Sequence, residues 1–218
     1  MFRITVFSLW FIGMITPALL CAADEPVGSI GQARSEKVQI PQLQEAPPGG
    51  NFTLHAASGP VALQDFRSKV VMLYFGYTTC PDICPSALSF LAQALNELNE
   101  EELKKVQGIF VSVDPKRDTP EKLAGYTHYF HPNLIGVTGT EQEVATAAEL
   151  YGAQYYEAVL EDSPIGYAVN HSSVTYLITS DGALRFIFPH GTPPSVMLEA
   201  IRYVLDEDKQ REAGQPKP

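Results

Sequence analysis

The sequence predicts a three-layer α/β domain built on a central sheet. Three observations carry this. Val70-Val71-Met72-Leu73-Tyr74-Phe75 and Ile109-Phe110-Val111-Ser112-Val113 are apolar runs of the kind found in strands buried on both faces. Each is followed by a segment with helix signals. Asp181-Gly182, set between Val174–Thr179 and Leu184–Phe188, marks a tight hairpin. Apolar residues make up 45% of the 218-residue chain, enough for a real core, which excludes wholesale disorder.

The elements follow in order. Phe52 and Leu54 alternate with Thr53, Ser58-Gly59 turns the chain, and Val61 and Leu63 return, which predicts an N-terminal β-hairpin. After the first buried strand, Leu88, Leu91, Leu95 and Leu98 recur at spacings of three and four, an amphipathic helix. Thr119-Pro120 fits the N-cap and first position of a helix running to about Phe130. Leu134–Val137 is a short strand, and Thr140-Glu141-Gln142-Glu143 is a capping box opening a helix that ends near Gly152. Tyr155-Tyr156 and the Gly- and Pro-containing loop 163–166 read as an insertion that either covers a site or only decorates the domain. A last helix begins at Thr192-Pro193 and carries Met197, Ile201, Val204 and Leu205 on one face. This is the thioredoxin order of elements, with the β-hairpin as an N-terminal extension.

The ends are different in kind. Arg3 is the only charge before Asp24, and the uncharged run between them ends in small residues at Cys21-Ala22-Ala23. Residues 1–23 therefore read as a signal peptide, or as a membrane anchor if left uncut. Lipidation at Cys21 is disfavoured, because Leu20 occupies the place where a small residue is needed. Either form places the domain outside the cytoplasm, in the periplasm or facing it, with membrane contact only through the N-terminus. Residues 24–49, rich in Pro, Gln, Glu and Gly, read as a flexible linker. Residues 50–206 are the folded domain, and 207–218 a charged, disordered tail. The net charge of −10 argues against nucleic acid, whose phosphates need clustered Lys and Arg.

Once Cys21 is set aside with the leader, the domain holds two cysteines, Cys80 and Cys84. A disulfide across so short a loop stabilises by about 2 kcal/mol, less than a long-range bridge. The pair is better explained by chemistry. If the turn is helix-like, positions i and i+4 share a face, and both sulfurs reach one ion. A helix N-terminus favours thiolate, the form that both attacks disulfides and binds metal. Soft thiolates select Cu(I), zinc or iron–sulfur clusters. Two cysteines are too few for a cluster, and structural zinc wants four protein ligands. Two cysteines and one neutral histidine suit copper, as Cu(I) or Cu(II). The candidate histidines are His55, His128, His131, His171 and His190. His128 and His131, three apart at a helix end, are weakly suggestive of metal. His171 directly precedes the strand Val174–Thr179, and by analogy with thioredoxin folds that loop faces the cysteines.

The stretch Tyr74-Phe75-Gly76-Tyr77-Thr78-Thr79-Cys80-Pro81-Asp82-Ile83-Cys84-Pro85 resembles the copper motif of the Sco (SenC) family. Ser112-Val113-Asp114-Pro115-Lys116-Arg117-Asp118-Thr119-Pro120 resembles that family's second signature, and His171-Ser172-Ser173 with Tyr176-Leu177 its third. The Gly49–Leu54 segment and the Asp65-Phe66-Arg67 turn match as well. Thr79 stands where many members have His, and Ser68 where Gly is usual. The resemblance covers about 49–206 and implies a thioredoxin-like fold that binds copper through Cys80, Cys84 and His171. It further implies a metallochaperone role in assembling the dinuclear copper centre of cytochrome c oxidase, with that enzyme's copper-accepting subunit and a periplasmic thiol reductant as partners. Asp114 is a candidate supporting residue around the metal; the Asp114–Pro120 segment also reads simply as a turn and helix cap.

The alternative reading is a thiol–disulfide oxidoreductase using Cys80 and Cys84. Against it, redox enzymes of this fold usually place two residues between the cysteines, not three. A peroxidase is disfavoured because Tyr77 occupies the place where its nucleophile wants a Thr. An inert disulfide remains the bland alternative.

Overall fold

The computed structural model describes residues 47–161 and 166–214. The predicted leader, most of the predicted linker and the last four residues lie outside the described residues. Among the described residues, no helix is long and apolar enough to cross a membrane.

The predicted N-terminal hairpin forms from β1 (Thr53–Ala56) and β2 (Gly59–Ala62), paired antiparallel. A single 3-10 turn, Leu63–Phe66, leads to β3 (Val70–Gly76). Between them Ser68 adopts φ +73, the left-handed region that a side chain disfavours. A side chain at this position therefore carries a conformational cost. Ser68→Gly is expected to raise stability by about 0.5–1 kcal/mol, read as a higher denaturant midpoint at unchanged slope.

Every residue of β3 and of β4 (Val106–Ser112) is buried, so both faces of the sheet are covered, as their unbroken apolar runs require. The two strands run parallel, linked by α1 (Ile83–Asn96) and a short α2 (Glu100–Lys104). Asn99 caps α2 in a reciprocal box with Glu102, a feature too short to show as a periodic pattern. Next come α3 (Pro120–Phe130), β5 (Leu134–Val137) and α4 (Glu141–Leu150). The side chains of Thr119 and Thr140 cap α3 and α4 as expected.

Besides α2, the sequence pattern does not show the hairpin at 155–171 or the full length of the last helix. Residues read as an insertion form a hairpin, β6 (Tyr155–Val159) and β7 (Tyr167–His171), in a two-stranded sheet of its own. After β8 (Val174–Ile178) and β9 (Leu184–Pro189), the last helix, α5 (Pro194–Glu212), runs past the expected boundary at 206. Its extension is held by side chains. Glu207 is buried, accepts a hydrogen bond from Tyr203 and lies 3.6 Å from Arg185, while Arg211 pairs with Asp208 and Asp181. The charges that made this stretch look like a solvated tail are partly tied to the domain.

The central sheet has the order β5-β4-β3-β8-β9, with β8 antiparallel to β3. The helix α1 packs against α5, and α3 lies along β5. This is the thioredoxin-like arrangement. Its consequence for function is geometric: β3 ends in the centre of the sheet, and the Cys80 loop leaves from that end.

Candidate metal centre

Val113 donates its N–H to the Gly76 carbonyl at 2.8 Å, locking the ends of β3 and β4 together where the loop begins. Gly76 is glycine for a spatial reason. A Cβ there would stand 2.8 Å from the Cys84 Sγ and 2.9 Å from the rings of Phe110 and Tyr74. Gly76→Ala is expected to cost about 2 kcal/mol through overpacking and to displace the Cys84 sulfur. Urea unfolding measures the first effect, and a change in the thiol's reactivity toward a maleimide measures the second.

The helix α1 starts at Ile83, so Cys84 lies in its first turn and Cys80 lies in the bend before it. The two cysteines therefore do not share a helical face, as the i, i+4 spacing had suggested. Pro81 and the non-helical backbone of Asp82 (φ −141) turn the chain instead, and Cys80 folds back over the helix end. The Cys84 N–H, one of the groups a helix start leaves without an internal partner, points at the Cys80 Sγ at 3.4 Å. Asp82 forms no side-chain cap, so the sulfur takes that place.

His171 closes the site from the end of β7. Its Nε2 lies 3.2 Å from the Cys84 Sγ, and its Nδ1 lies 3.2 Å from the Ser172 carbonyl oxygen. A carbonyl only accepts, so Nδ1 carries the proton and Nε2 presents its lone pair to the sulfurs. The Tyr74 and Tyr77 rings meet the imidazole edge-to-face at 6.0 and 5.8 Å between centroids, fixing its plane. The ligand atoms of Cys80, Cys84 and His171 all lie within 4.8 Å of one another. Among the described residues this is the group of His, Cys, Asp and Glu able to share an ion. Cys84 is fully buried, whereas Cys80 and His171 are half-buried, so the site opens on the Cys80 side.

The electrostatics split the two thiols. Hydrogen bonding from Cys84 first, then from the N–H groups of Cys84 and Asp82, outweighs burial and holds Cys80 well below the ordinary thiol range. The same bond to Cys80, then burial, pushes Cys84 up. The pair thus shares one proton, on the buried sulfur. Burial, then Cys84, also raises the Tyr74 hydroxyl, which stays a neutral phenol.

The other histidines are elsewhere. His55 bridges to Thr138 and lies 3.9 Å from Glu143. His128 is exposed on α3, and His190 is exposed beyond β9. His131 is buried, which holds its pKa down, and its Nδ1 accepts the Asn133 N–H at 2.9 Å, closing the end of α3. The spacing of His128 and His131 thus reflects a helix terminus.

The second motif supports the site from behind. Asp118, absent from the candidate residues, is fully buried and is the hub. It accepts the Thr78 N–H at 2.8 Å, the Thr78 and Ser112 hydroxyls, and the Lys122 ammonium at 2.9 Å. Burial alone would raise its pKa; these bonds outweigh it and hold the carboxyl below its ordinary range. Asp114 is buried beside it and accepts hydrogen bonds from Arg117 Nε and, at 2.8 Å, from Tyr167 Oη. Asp114 thus acts on β7 at Tyr167, four residues from His171, rather than on Cys80, Cys84 or His171 themselves.

Comparison with known proteins agrees with the motifs. The SCO1/SenC family model matches residues 41–206. The mouse protein "Protein SCO2 homolog, mitochondrial" is 39% identical over 179 residues, covering 78% of this chain and 70% of that one. Among solved structures, Arabidopsis thaliana ScoI with copper bound superposes with a TM-score of 0.67 at 34% identity, covering 72% of this chain and 98% of its own. Bradyrhizobium japonicum ScoI with copper bound gives 0.65 at 30% identity, covering 72% and 99%.

Proposed function

The chain belongs to the SCO1/SenC family, and from that premise we propose that it is a copper metallochaperone whose ligands are Cys80, Cys84 and His171. The observation that carries this reading is the meeting of two thiol sulfurs and one imidazole nitrogen within 4.8 Å. The donor set fits the metal. Two soft sulfurs and one borderline nitrogen suit Cu(I), whereas structural zinc wants four protein donors and the group formed among the described residues offers three. A three-ligand site with one half-exposed sulfur can pass its metal to another protein's thiols, because an incoming ligand has a place to bind before Cys80 lets go. We assign the working location to the periplasmic side of a membrane, through the leader at 1–23. We assign the acceptor to the copper-binding subunit of cytochrome c oxidase, and a periplasmic thiol reductant to keeping the cysteines reduced.

A second reading has its own support. Cys80, accessible and held toward thiolate, with Cys84 buried behind it, is the arrangement of an attacking and a resolving thiol. In that reaction an acceptor disulfide gains two electrons and two protons and becomes two thiols, while Cys80 and Cys84 become a disulfide. The two readings separate in one experiment. The copper-loaded full chain is mixed anaerobically with the reduced soluble domain of the acceptor subunit, and the metal-free chain with the oxidised one. Copper moving to the reduced acceptor, with both thiols of the chain retained, supports the chaperone. Disulfide reduction by the metal-free chain without copper transfer overturns it in favour of the oxidoreductase.

A further inference from the structure

We propose that Arg117 is a positioning residue for His171, the clasp that fixes the β6–β7 hairpin and so sets the reach of the histidine onto the cysteine pair. The inference rests on the reading of Cys80, Cys84 and His171 as copper ligands. Its starting point is topological. Among the described residues the hairpin that delivers His171 forms a sheet apart from the five-stranded one, so besides the short link from β7 to β8 it is side chains that hold it in place. Residues of one strand alternate in direction, so Tyr167, Val169 and His171 point to the same side. Val169 is buried and His171 meets Cys84, so that side faces the domain.

Arg117 grips this face at Tyr167 in several ways at once. Its guanidinium carbon lies 3.7 Å from the Tyr167 ring centroid. Its Nη1 donates to the Tyr167 carbonyl at 2.8 Å. Asp114, which binds Arg117 Nε, also accepts the Tyr167 hydroxyl at 2.8 Å. The guanidinium also lies 5.7 Å from the ring of Tyr77, which packs edge-on against His171 from the cysteine side. One planar cation therefore touches both the strand that carries the histidine and the loop that carries Cys80. Arg suits this task and Lys does not, because stacking and forked donation both need the planar group. The neighbouring Lys116–Glu157 ion pair also bridges to the hairpin, but it is exposed and contributes little.

The test uses the full chain as wild type, Arg117→Gln, Arg117→Lys, Tyr167→Leu, Tyr167→Phe, Lys116→Gln and His171→Ala. Each is loaded with one Cu(II) for electron paramagnetic resonance, and separately with one Cu(I) for release to a small-molecule chelator. Circular dichroism and urea midpoints report folding of the metal-free chains. Nitrogen splitting present in wild type and absent in His171→Ala establishes the site beneath the proposal. Arg117→Gln, Arg117→Lys and Tyr167→Leu are then expected to keep sulfur-to-copper charge transfer, to lose most of the nitrogen splitting, and to release copper about 10–100-fold faster. Tyr167→Phe keeps the ring beneath the guanidinium but loses the bond to Asp114, and is expected to fall between wild type and Tyr167→Leu, whereas Lys116→Gln is expected to stay near wild type. Wild-type splitting and release in folded Arg117→Lys and Tyr167→Leu would overturn the clasp, whatever their urea midpoints. No nitrogen splitting in wild type would overturn the copper site itself, a separate and recognisable failure.

Discussion

Replacing His171 with Ala is expected to weaken Cu(I) binding by more than about a hundredfold, since losing only a partner that orients a ligand already costs roughly 10–100-fold. The substitution removes the one nitrogen donor and leaves two sulfurs. His171 is half-buried and its contacts are with the site, so the metal-free fold is expected to change little. Competition with a Cu(I) chelator of known affinity measures the first effect, and urea unfolding the second. Cys80→Ala and Cys84→Ala are expected to be at least as severe for copper, but Cys84→Ala also empties buried space beside Tyr74. His171→Ala is therefore the cleaner probe. Equal affinity in wild type and His171→Ala would show that the histidine is not a ligand.

The second large effect is on stability. Asp118→Ala is expected to destabilise the domain by about 3–4 kcal/mol, because several charge-assisted hydrogen bonds are lost and the buried Ser112 hydroxyl and half-buried Thr78 N–H lose their acceptor. Lys122 is partly exposed and can turn to water, which limits the loss. Because folding lowers the Asp118 pKa, its contribution is fully present above the unfolded value of about 3.9 and is lost as pH falls through the folded value. Wild-type stability is thus expected to fall across the acid range below about pH 4, and Asp118→Asn to flatten that limb. Urea midpoints measured from pH 2.5 to 7 check both. Copper binding is expected to weaken as well, since Thr78 is the anchor of the loop that places Cys80.

These residues mark how far the sequence could be read. The buried strands, the capped helices α3 and α4, and the Asp181-Gly182 hairpin were legible because each depends on local pattern: an apolar run, a cap box, a turn pair. Gly182 adopts φ +86, the conformation that pair exists to supply. The cysteine pair was legible from spacing and residue type, although its geometry is that of a sulfur folded over a helix start, not of two positions on one helical face. His171 was reached only through analogy with the fold. Nothing local separates it from His128 or His131, whose spacing suggested metal but reflects a capped helix end.

The hairpin β6–β7 was hidden because its strands are exposed or half-buried at every position but Val169 and so leave no clear apolar pattern. The hub at Asp118 was hidden for another reason. Its bonds to Thr78 span 40 residues, and a buried carboxylate has the same letter as an exposed one. Sequence pattern reports burial of apolar faces well, and polar networks across the fold hardly at all. The same limit explains the last helix, whose extension past 206 depends on ion pairs such as Arg211 with Asp181 that no local pattern announces.

The central claim is a three-coordinate copper site of two sulfurs and one nitrogen. X-ray absorption at the copper edge, on the full chain carrying one equivalent of Cu(I), tests it most directly. A first shell of two sulfurs and one imidazole nitrogen, reduced to sulfur alone in His171→Ala, is the predicted result. A wild-type shell without nitrogen, or one unchanged by the substitution, would contradict it.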